Sequence, residues 1–534
     1  MPSTATARTT VVHSSDPTLH AAIRLSLLFA VIKFVFHIAT NLWEAHIGYG
    51  YFRDEFYYLA CGRHLAWGYV DHGPIVAVQA RIAETLFGHS LAGIRLLSAL
   101  AGAVRVFLTG LLAWSLGGRR PAQALAMIGI LLVPQYLGLD SFLSMNSFES
   151  MFWMGCVLAL IFLLRGADEA RCWIAFGLCG GLGLLNKPSM TFFLVALLLG
   201  LLLTPQRRIL FSRWAALGIA LLILIALPNL IWQIHNHWPT LEFLHNGRAH
   251  NKNIKLGPIA FLGKQIFNMQ PATIFLWIPG LIWLFRNPQG KTCRWLGYTY
   301  VIFVMIMMGL YAKDYYVSPI YPYLYAAGAI AWERRFASRA AVARDSIIAF
   351  PIYEATLVLL GIIVLPLSIP VLKPDTWLAY TKATHLYDAN GNTETDSSGV
   401  LPQFYADRFG WQEEVDQVTR IYQSLSPEDQ RRVGILCSNY GEAGAINFLG
   451  HDLPVAVSGH NNYWIWGSHG YTGELMIVIN GATPEEMREY YDSVEVAGRM
   501  NHPLSMPFER RNIYLVRGRK KNLTQDWESL KFYF

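Results

Sequence analysis

Between residues 21 and 370 the chain alternates long apolar runs with short polar connectors. A bilayer core of about 30 Å is crossed by roughly 20 apolar residues in helical form, so runs of this kind predict spanning helices. Eleven are expected, at 21–43, 92–116, 121–139, 147–164, 172–186, 190–204, 214–232, 271–286, 294–310, 315–332 and 346–370. Helices satisfy their own backbone in hydrocarbon, and the pattern predicts a mostly α-helical, polytopic membrane protein.

The connectors differ in charge. Residues 117–120, 165–171, 206–213, 286–294 and 333–344 carry several arginines each and fall on alternate connections. The positive-inside rule puts them in the cytoplasm. Loops 44–91, 140–146, 186–188, 233–270 and 311–316 then lie on the outer face, and every unusual polar cluster is among them.

From about Val371 the apolar runs shorten. Strands are expected at 433–437, 453–457, 475–479 and 513–516, which are short and rich in β-branched residues. Helices separate them; Thr483-Pro-Glu-Glu486 is a capping box with proline at the first helical position. The alternation predicts an α/β domain over 371–534, joined to the membrane half (21–370) by the polar loop Asp388 to Ser398. An odd number of spans with a cytoplasmic N-terminus puts this domain outside. Residues 1–20 are polar and rich in Ser and Thr, and are expected to be disordered. The apolar run after them is too long for a signal-peptide core and reads as a retained helix.

Composition agrees with a membrane class: of 534 residues 53% are hydrophobic and 15% charged. The net charge of +7 sits in connectors and not along one face, so nucleic acid is not an expected partner. Cysteines at 61, 156, 172, 179, 293 and 437 show no C-x-x-C spacing, which argues against a metal-thiolate site or a disulfide framework. Cys61 and Cys437 share a predicted side, as a pair or as two free thiols. No Walker A motif or dinucleotide-binding glycine fingerprint is present.

Candidate chemistry centres on Tyr51-Phe-Arg-Asp-Glu-Phe-Tyr-Tyr58, just beyond the first apolar run, followed by Tyr69-Val-Asp-His-Gly-Pro74. Successive helical residues point about 100° apart, so Asp54 and Glu55 cannot both face one cleft; one would do chemistry and the other position it. Acids are also common at helix N-termini without any catalytic duty.

This outer loop resembles the glycosyltransferases of the protein O-mannosyltransferase and lipid A aminoarabinose transferase group, family 39 enzymes of the GT-C fold. The likeness extends through Leu139 to Glu149, Leu185-Asn-Lys-Pro188 and Lys313 to Pro322, and in the C-terminal domain through Cys437 to Ala445. It implies transfer of a sugar, with inversion, from a polyprenyl-phosphate donor to a lipid, glycan or protein acceptor. Asp54 matches the first acid of the family pair and is expected to be the general base, with Glu55 beside it for positioning or weak metal contact. The departing phosphate needs cationic stabilisation, and Lys313 with Tyr315 and Tyr316 matches the family's phosphate-side stretch. Asp71 and His72 stand where aminoarabinose transferases carry a metal-contacting Glu and a phosphate-contacting Lys; His in place of Lys departs from that pattern.

Asn146 and Glu149 share one helical face, and Glu149 is expected to supply the carboxylate where relatives have an acid at position 146. Lys187 is expected to reach the donor or to snorkel. Of the histidines in 233–253, His245 is the choice for a metal contact, with Asp71. A divalent metal ion is the one cofactor the resemblance admits. Arg105, mid-span, is expected in a structural ion pair, while Arg53, Arg63 and Arg95 read as snorkelling cations. The aromatics of Gly459 to Gly467 suit either an acceptor sugar or packing on the membrane half.

The expected protein is therefore an integral membrane glycosyltransferase of a bacterial inner membrane, with its active site and C-terminal domain on the periplasmic side. Its rivals are a transporter or lipid flippase of the same hydropathy, and a catalytically dead relative that binds glycan or lipid.

Overall fold

The computed structural model describes residues 18–250, 252, 254–340, 345–386 and 399–534. The Asp388 to Ser398 linker and most of the polar N-terminal stretch fall outside these; the first helix, Leu19–His46, starts inside the stretch read as disordered, with Thr18 as its cap.

Each of the eleven apolar runs falls on helical segments, though 92–116 and 121–139 are each divided between two helices. By length and composition six helices are able to cross a membrane, and up to nine if each sharply bent pair counts as one span, among the described residues. The bent pairs are Arg120–Leu131 with Pro134–Asp140, Ser189–Leu202 with Pro205–Phe211, and Pro258–Asn268 with Pro271–Arg286. Proline opens the second limb of each, where it supplies no N–H to continue the preceding helix. Glu169–Asn186 and Tyr321–Ala340 are helices outside this set. The former carries Gly177, Gly180, Gly181 and Gly183, and the latter ends in Glu333, Arg334 and Arg335, which lowers the hydropathy of both.

Those glycines permit close approach. A Cβ on Gly177 would meet the Gly218 carbonyl at 2.4 Å, and one on Gly218 would meet the Trp173 carbonyl at 2.5 Å. Packing of this kind substitutes for the hydrophobic drive that is missing between helices in lipid. Tyr321–Ala340 runs through the centre, with Tyr321, Tyr323 and Tyr325 fully buried. Their hydroxyls are partnered, Tyr323 donating to the Leu296 carbonyl (3.0 Å) and Tyr325 to the Met269 carbonyl (3.1 Å).

The first helix turns a polar stripe inward: Ser26, Lys33, His37, Asn41 and Glu44 are buried, while its exposed face is apolar. Arg105 has the ion-pair partner expected of it, Asp140, which also lies 3.5 Å from Lys33. Arg95 is not a snorkelling cation. It is completely buried and bridges Glu44 and Glu55.

Beyond residue 399 five strands form one sheet: β1 Gly434–Cys437, β2 Ala456–Ser458, β3 Leu475–Asn480, β4 Tyr491–Arg499 and β5 Asn512–Arg519, in the order β2-β1-β3-β5-β4. β1 pairs in parallel with β2 and β3, and β5 runs antiparallel to β3 and β4. The second strand begins three residues later than its expected start, because 453–455 form the approach to it. β4 was not expected from sequence; as an edge strand with exposed Asp492, Ser493, Glu495 and Val496 it lacks a buried apolar run.

The helix Tyr440–Leu449 packs directly on Arg53–Arg63, with Gly444 against the Phe56 backbone and Gly441 against the Arg53 side chain. The C-terminal domain thereby reaches the 44–91 loop. All six cysteines are free, Cys61 and Cys437 included.

Candidate active site

Arg53–Arg63 is a short helix entered through Phe52, whose N–H is capped by Glu55 Oε2 at 2.8 Å. The two carboxylates at its start have opposite environments. Glu55 is fully buried: Arg95 donates to it from Nε (2.8 Å) and Nη2 (2.8 Å), and Leu143 N–H donates to Oε1 (2.8 Å). With Phe52 that makes four donors, which occupy the carboxylate's acceptor capacity. Glu55 therefore fixes the turn and meets no substrate, and its oxygens are taken up as far as metal contact is concerned. Asp54 keeps 30% of its side chain exposed, and its Oδ1 accepts from the Tyr440 hydroxyl at 2.8 Å.

Asp71 lies on the same side. Tyr57 donates to its Oδ1 at 2.8 Å, and the ring of Tyr57 stacks on Tyr440 with centroids 4.6 Å apart. Burial raises the Asp71 carboxyl above the ordinary range, and the charge of Asp54 raises it further. Tyr315, from the 313–320 segment, lies nearby against Lys187, whose ammonium is 5.5 Å from its ring. Asn462 completes this wall, its Oδ1 accepting from Val70 N–H at 2.7 Å.

His72 is not available to a phosphate. It is buried, stacked on Tyr69 (4.6 Å) and edge-on to Tyr57 and Tyr58. Nδ1 lies 2.7 Å from the Gly73 carbonyl, which only accepts, so Nδ1 carries the proton and Nε2 faces Cys61 Sγ at 3.7 Å. Burial lowers its pKa and keeps it neutral.

A second cluster gathers four residues singled out by sequence. Lys187 Nζ donates to Asn146 Oδ1 (2.7 Å) and Glu149 Oε2 (3.1 Å), and sits over the Tyr316 ring at 4.1 Å. Ser189 donates to the other oxygen of Glu149. Lys187 therefore does not snorkel; it is an ammonium held by a carboxylate and an aromatic face. Lys313 is half-buried at the start of Asp314–Ile320, its carbonyl accepting from Tyr316 N–H at 3.1 Å. The two clusters adjoin through Gly73, where an added Cβ would stand 2.0 Å from the Leu185 carbonyl.

Arg53 and Arg63 also depart from the snorkelling reading. Arg53 lies 3.8 Å from Asp54, 4.0 Å from Asp407 and 3.8 Å from Glu509, between the rings of Tyr440 and Phe508. Arg63 pairs with Glu84 at 2.6 Å. His245 is exposed on the helix Pro239–Ala249, and among the described residues no three His, Cys, Asp or Glu side chains converge as a metal site.

Sequence reasoning did not select Tyr440, Tyr57, Tyr58 or Asn462. Tyr440 lies 386 positions from Asp54; its local signs were the Cys437 to Ala445 likeness and the helix start at Asn439, whose side chain and Glu442 form a capping box, and neither pointed to Asp54.

Residues 71–232 match the family described as dolichyl-phosphate-mannose-protein mannosyltransferase. Over nearly its whole length the chain also superposes on ArnT from Cupriavidus metallidurans bound to undecaprenyl phosphate, at TM-score 0.58 and 16% identity, covering 93% of this chain and 98% of that one. The apo state of the same ArnT gives TM-score 0.57 with the same identity and coverage. The chain has the GT-C fold.

No curated protein matches the chain by sequence. The stretch that matches the mannosyltransferase family contains Asp71, His72, Asn146, Glu149 and Lys187, while Asp54 and Lys313 lie outside it. The shared fold thus covers both polar clusters, and the matched sequence stretch covers Asn146, Glu149 and Lys187 of the second but not Tyr316.

Proposed function

We propose that this GT-C protein transfers a sugar from a polyprenyl-phosphate donor to an acceptor hydroxyl on the outer side of a bacterial inner membrane, with inversion at the anomeric carbon. The observation that carries the reading is the contrast at residues 54 and 55: one carboxylate open to the cleft and held in orientation by Tyr440, the next spent on holding the backbone. Asp54 takes the proton of the attacking hydroxyl, and Tyr440 and Arg53 fix its rotamer. Tyr57, Tyr58 and Tyr440 pack on one another as a buried aromatic wall behind Asp54.

The leaving phosphate is received by Lys187, with Tyr316 and Lys313 beside it, where a fixed cation stabilises the developing charge without reorganisation. Asn146 and Glu149 aim the ammonium. His72 orders the loop and does not contact substrate. A divalent cation would be held by Asp54 and Asp71 together with the donor phosphate, neutralising the charge that leaves; His245 has no part in that set. What supports a lipid-linked donor is the fold shared with an ArnT captured with undecaprenyl phosphate. The acceptor is a lipid, glycan or protein.

One observation favours the transport reading: Lys33, His37, Arg105 and Asp140 are ionisable groups buried within the membrane half. Purified protein given a panel of radiolabelled polyprenyl-phosphate sugars, wild type beside Asp54→Asn, separates the two. Turnover abolished by the substitution establishes the transferase; a panel in which no donor binds or reacts refutes it.

A further inference from the structure

The end of the helix bundle far from the candidate active site holds a cavity with different chemistry. The helix Ser189–Leu202 starts beside Lys187, and Arg294–Gly309 ends a few residues before Lys313. Each is about 20–25 Å long at 1.5 Å per residue, so the other ends lie on the opposite membrane face. They pack closely there: a Cβ on Gly200 would meet Thr299 Oγ1 at 2.5 Å and the Trp295 carbonyl at 2.6 Å.

Between them is a cavity of about 260 Å³ lined by Thr204, Gln206, Lys291, Thr292, Arg294 and Tyr298, with Leu203 and Pro205 at its edge. At about 30 Å³ per water it has room for a phosphate headgroup with several waters. Its lining holds two cations and no carboxylate. Arg294 Nε and Gln206 Oε1 are both shut off from solvent without a hydrogen-bond partner, and Arg294 reaches only the Phe285 carbonyl, through Nη2 (2.8 Å). An unpaired buried donor on Arg294, beside a second cation and with no carboxylate in the lining, is the arrangement an anion would complete.

The surroundings say which anion. After Leu202 the chain bends by 116° into Pro205–Phe211, which crosses the end of the bundle. Leu203 and Phe211 are 61% and 80% exposed, and Arg207 and Arg208 are exposed beside them. A segment with exposed apolar and cationic side chains at a membrane boundary lies in the interface, with its apolar groups among acyl chains. We infer that this cavity binds the phosphate of an anionic phospholipid, with Arg294, Lys291, Gln206 and Tyr298 as donors and the acyl chains alongside Leu203 and Phe211.

The test is native mass spectrometry of the purified full chain with phosphatidylglycerol or phosphatidylcholine, wild type beside Lys291→Gln combined with Arg294→Gln. Wild type retains phosphatidylglycerol in preference, and the double variant loses that preference roughly thirtyfold, the equivalent of about 1 kcal/mol for each basic residue. Arg207→Gln combined with Arg208→Gln removes the same charge outside the cavity and retains most of it. Tyr298→Phe, which leaves the charge intact, lowers the preference by a smaller factor and decides the matter should the double variant aggregate. An undiminished preference in the cavity variants, or an equal loss in the Arg207 and Arg208 control, overturns the inference. Displacement of bound lipid by millimolar inorganic phosphate overturns the lipid assignment in favour of a free-anion site.

Discussion

Asp54 and Glu55 are neighbours in sequence, yet neutralising them should give opposite failures. Asp54→Asn retains an oxygen for the Tyr440 hydroxyl, and the side chain is partly exposed, so stability should shift by no more than about 0.5 kcal/mol. Turnover, on the proposed mechanism, should vanish. Glu55→Gln replaces one acceptor oxygen by an NH₂ group that must face donors, since every partner of Glu55 is an N–H: two from Arg95, one from Phe52 and one from Leu143. It also leaves Arg95 sharing the charge of Glu44 with Arg408. Breaking a buried ion pair from one side costs about 3–5 kcal/mol. The assay is thermal unfolding in detergent monitored by size-exclusion chromatography, run beside donor binding and transfer. Glu55→Gln should unfold well below wild type, with activity falling in step with the folded fraction. A Glu55→Gln protein of wild-type stability that binds donor but does not turn over would refute the division of labour, as would an Asp54→Asn protein that turns over normally.

Four further outcomes follow from the geometry. Tyr440→Phe preserves the stack on Tyr57 and deletes the hydrogen bond to Asp54; at about 1.5–3 kcal/mol for a bond to a charged group, kcat should fall about ten- to a hundredfold with the fold intact by circular dichroism. Lys187→Met should weaken binding of polyprenyl phosphate by about tenfold or more, read by lipid titration, since it removes the ammonium between Glu149 and Tyr316. Gly73→Ala must displace either the 69–74 loop or the Leu185 carbonyl and should lower the unfolding midpoint and activity together, whereas Gly247→Ala, in open space, should leave both unchanged. Burial raises Glu442 from 4.5 to about 8, so the folded state holds that proton more tightly than the unfolded chain does. Its contribution is whole below about pH 4.5 and lost as pH rises through 8, by at most about 1.4 kcal/mol per unit; Glu442→Gln should flatten that dependence of the unfolding midpoint.

Helix positions were legible because apolar runs of membrane length have few other uses. All eleven fall on helical segments, some divided between two helices, and the number of spans does not follow from them: bends at Pro134, Pro205 and Pro271 depend on how limbs pack. Strands with buried apolar runs were legible too, and β4, with its exposed face, was not. Asn146, Glu149, Lys187 and Tyr316 were singled out through the family resemblance, the first two also through a shared helical face, and the structure brings the four together. The snorkelling reading of Arg53, Arg63 and Arg95 failed because it used depth alone, and each partner (Glu509, Glu84 and Glu44) comes from an element that only tertiary structure brings near. Tyr440 shows the same limit from the other side: its role depends on a domain contact that no local pattern encodes.

The inward polar stripe of the first helix has a consequence for how the protein is made. Lys33 and His37 enter the bilayer early in synthesis, and the carboxylate that faces them, Asp140, is translated about a hundred residues later. A charge at the centre of a lone helix disfavours insertion by about 2.5–3.5 kcal/mol on translocon scales. The first hydrophobic segment should therefore be a poor membrane anchor by itself and become a stable one only after the segment ending at Asp140 has joined it. Nascent chains truncated before residue 134 should slip out of the bilayer, or wait beside the translocon, where chains extended past Asp140 remain embedded; accessibility of a cysteine placed near Thr18 would distinguish the two fates.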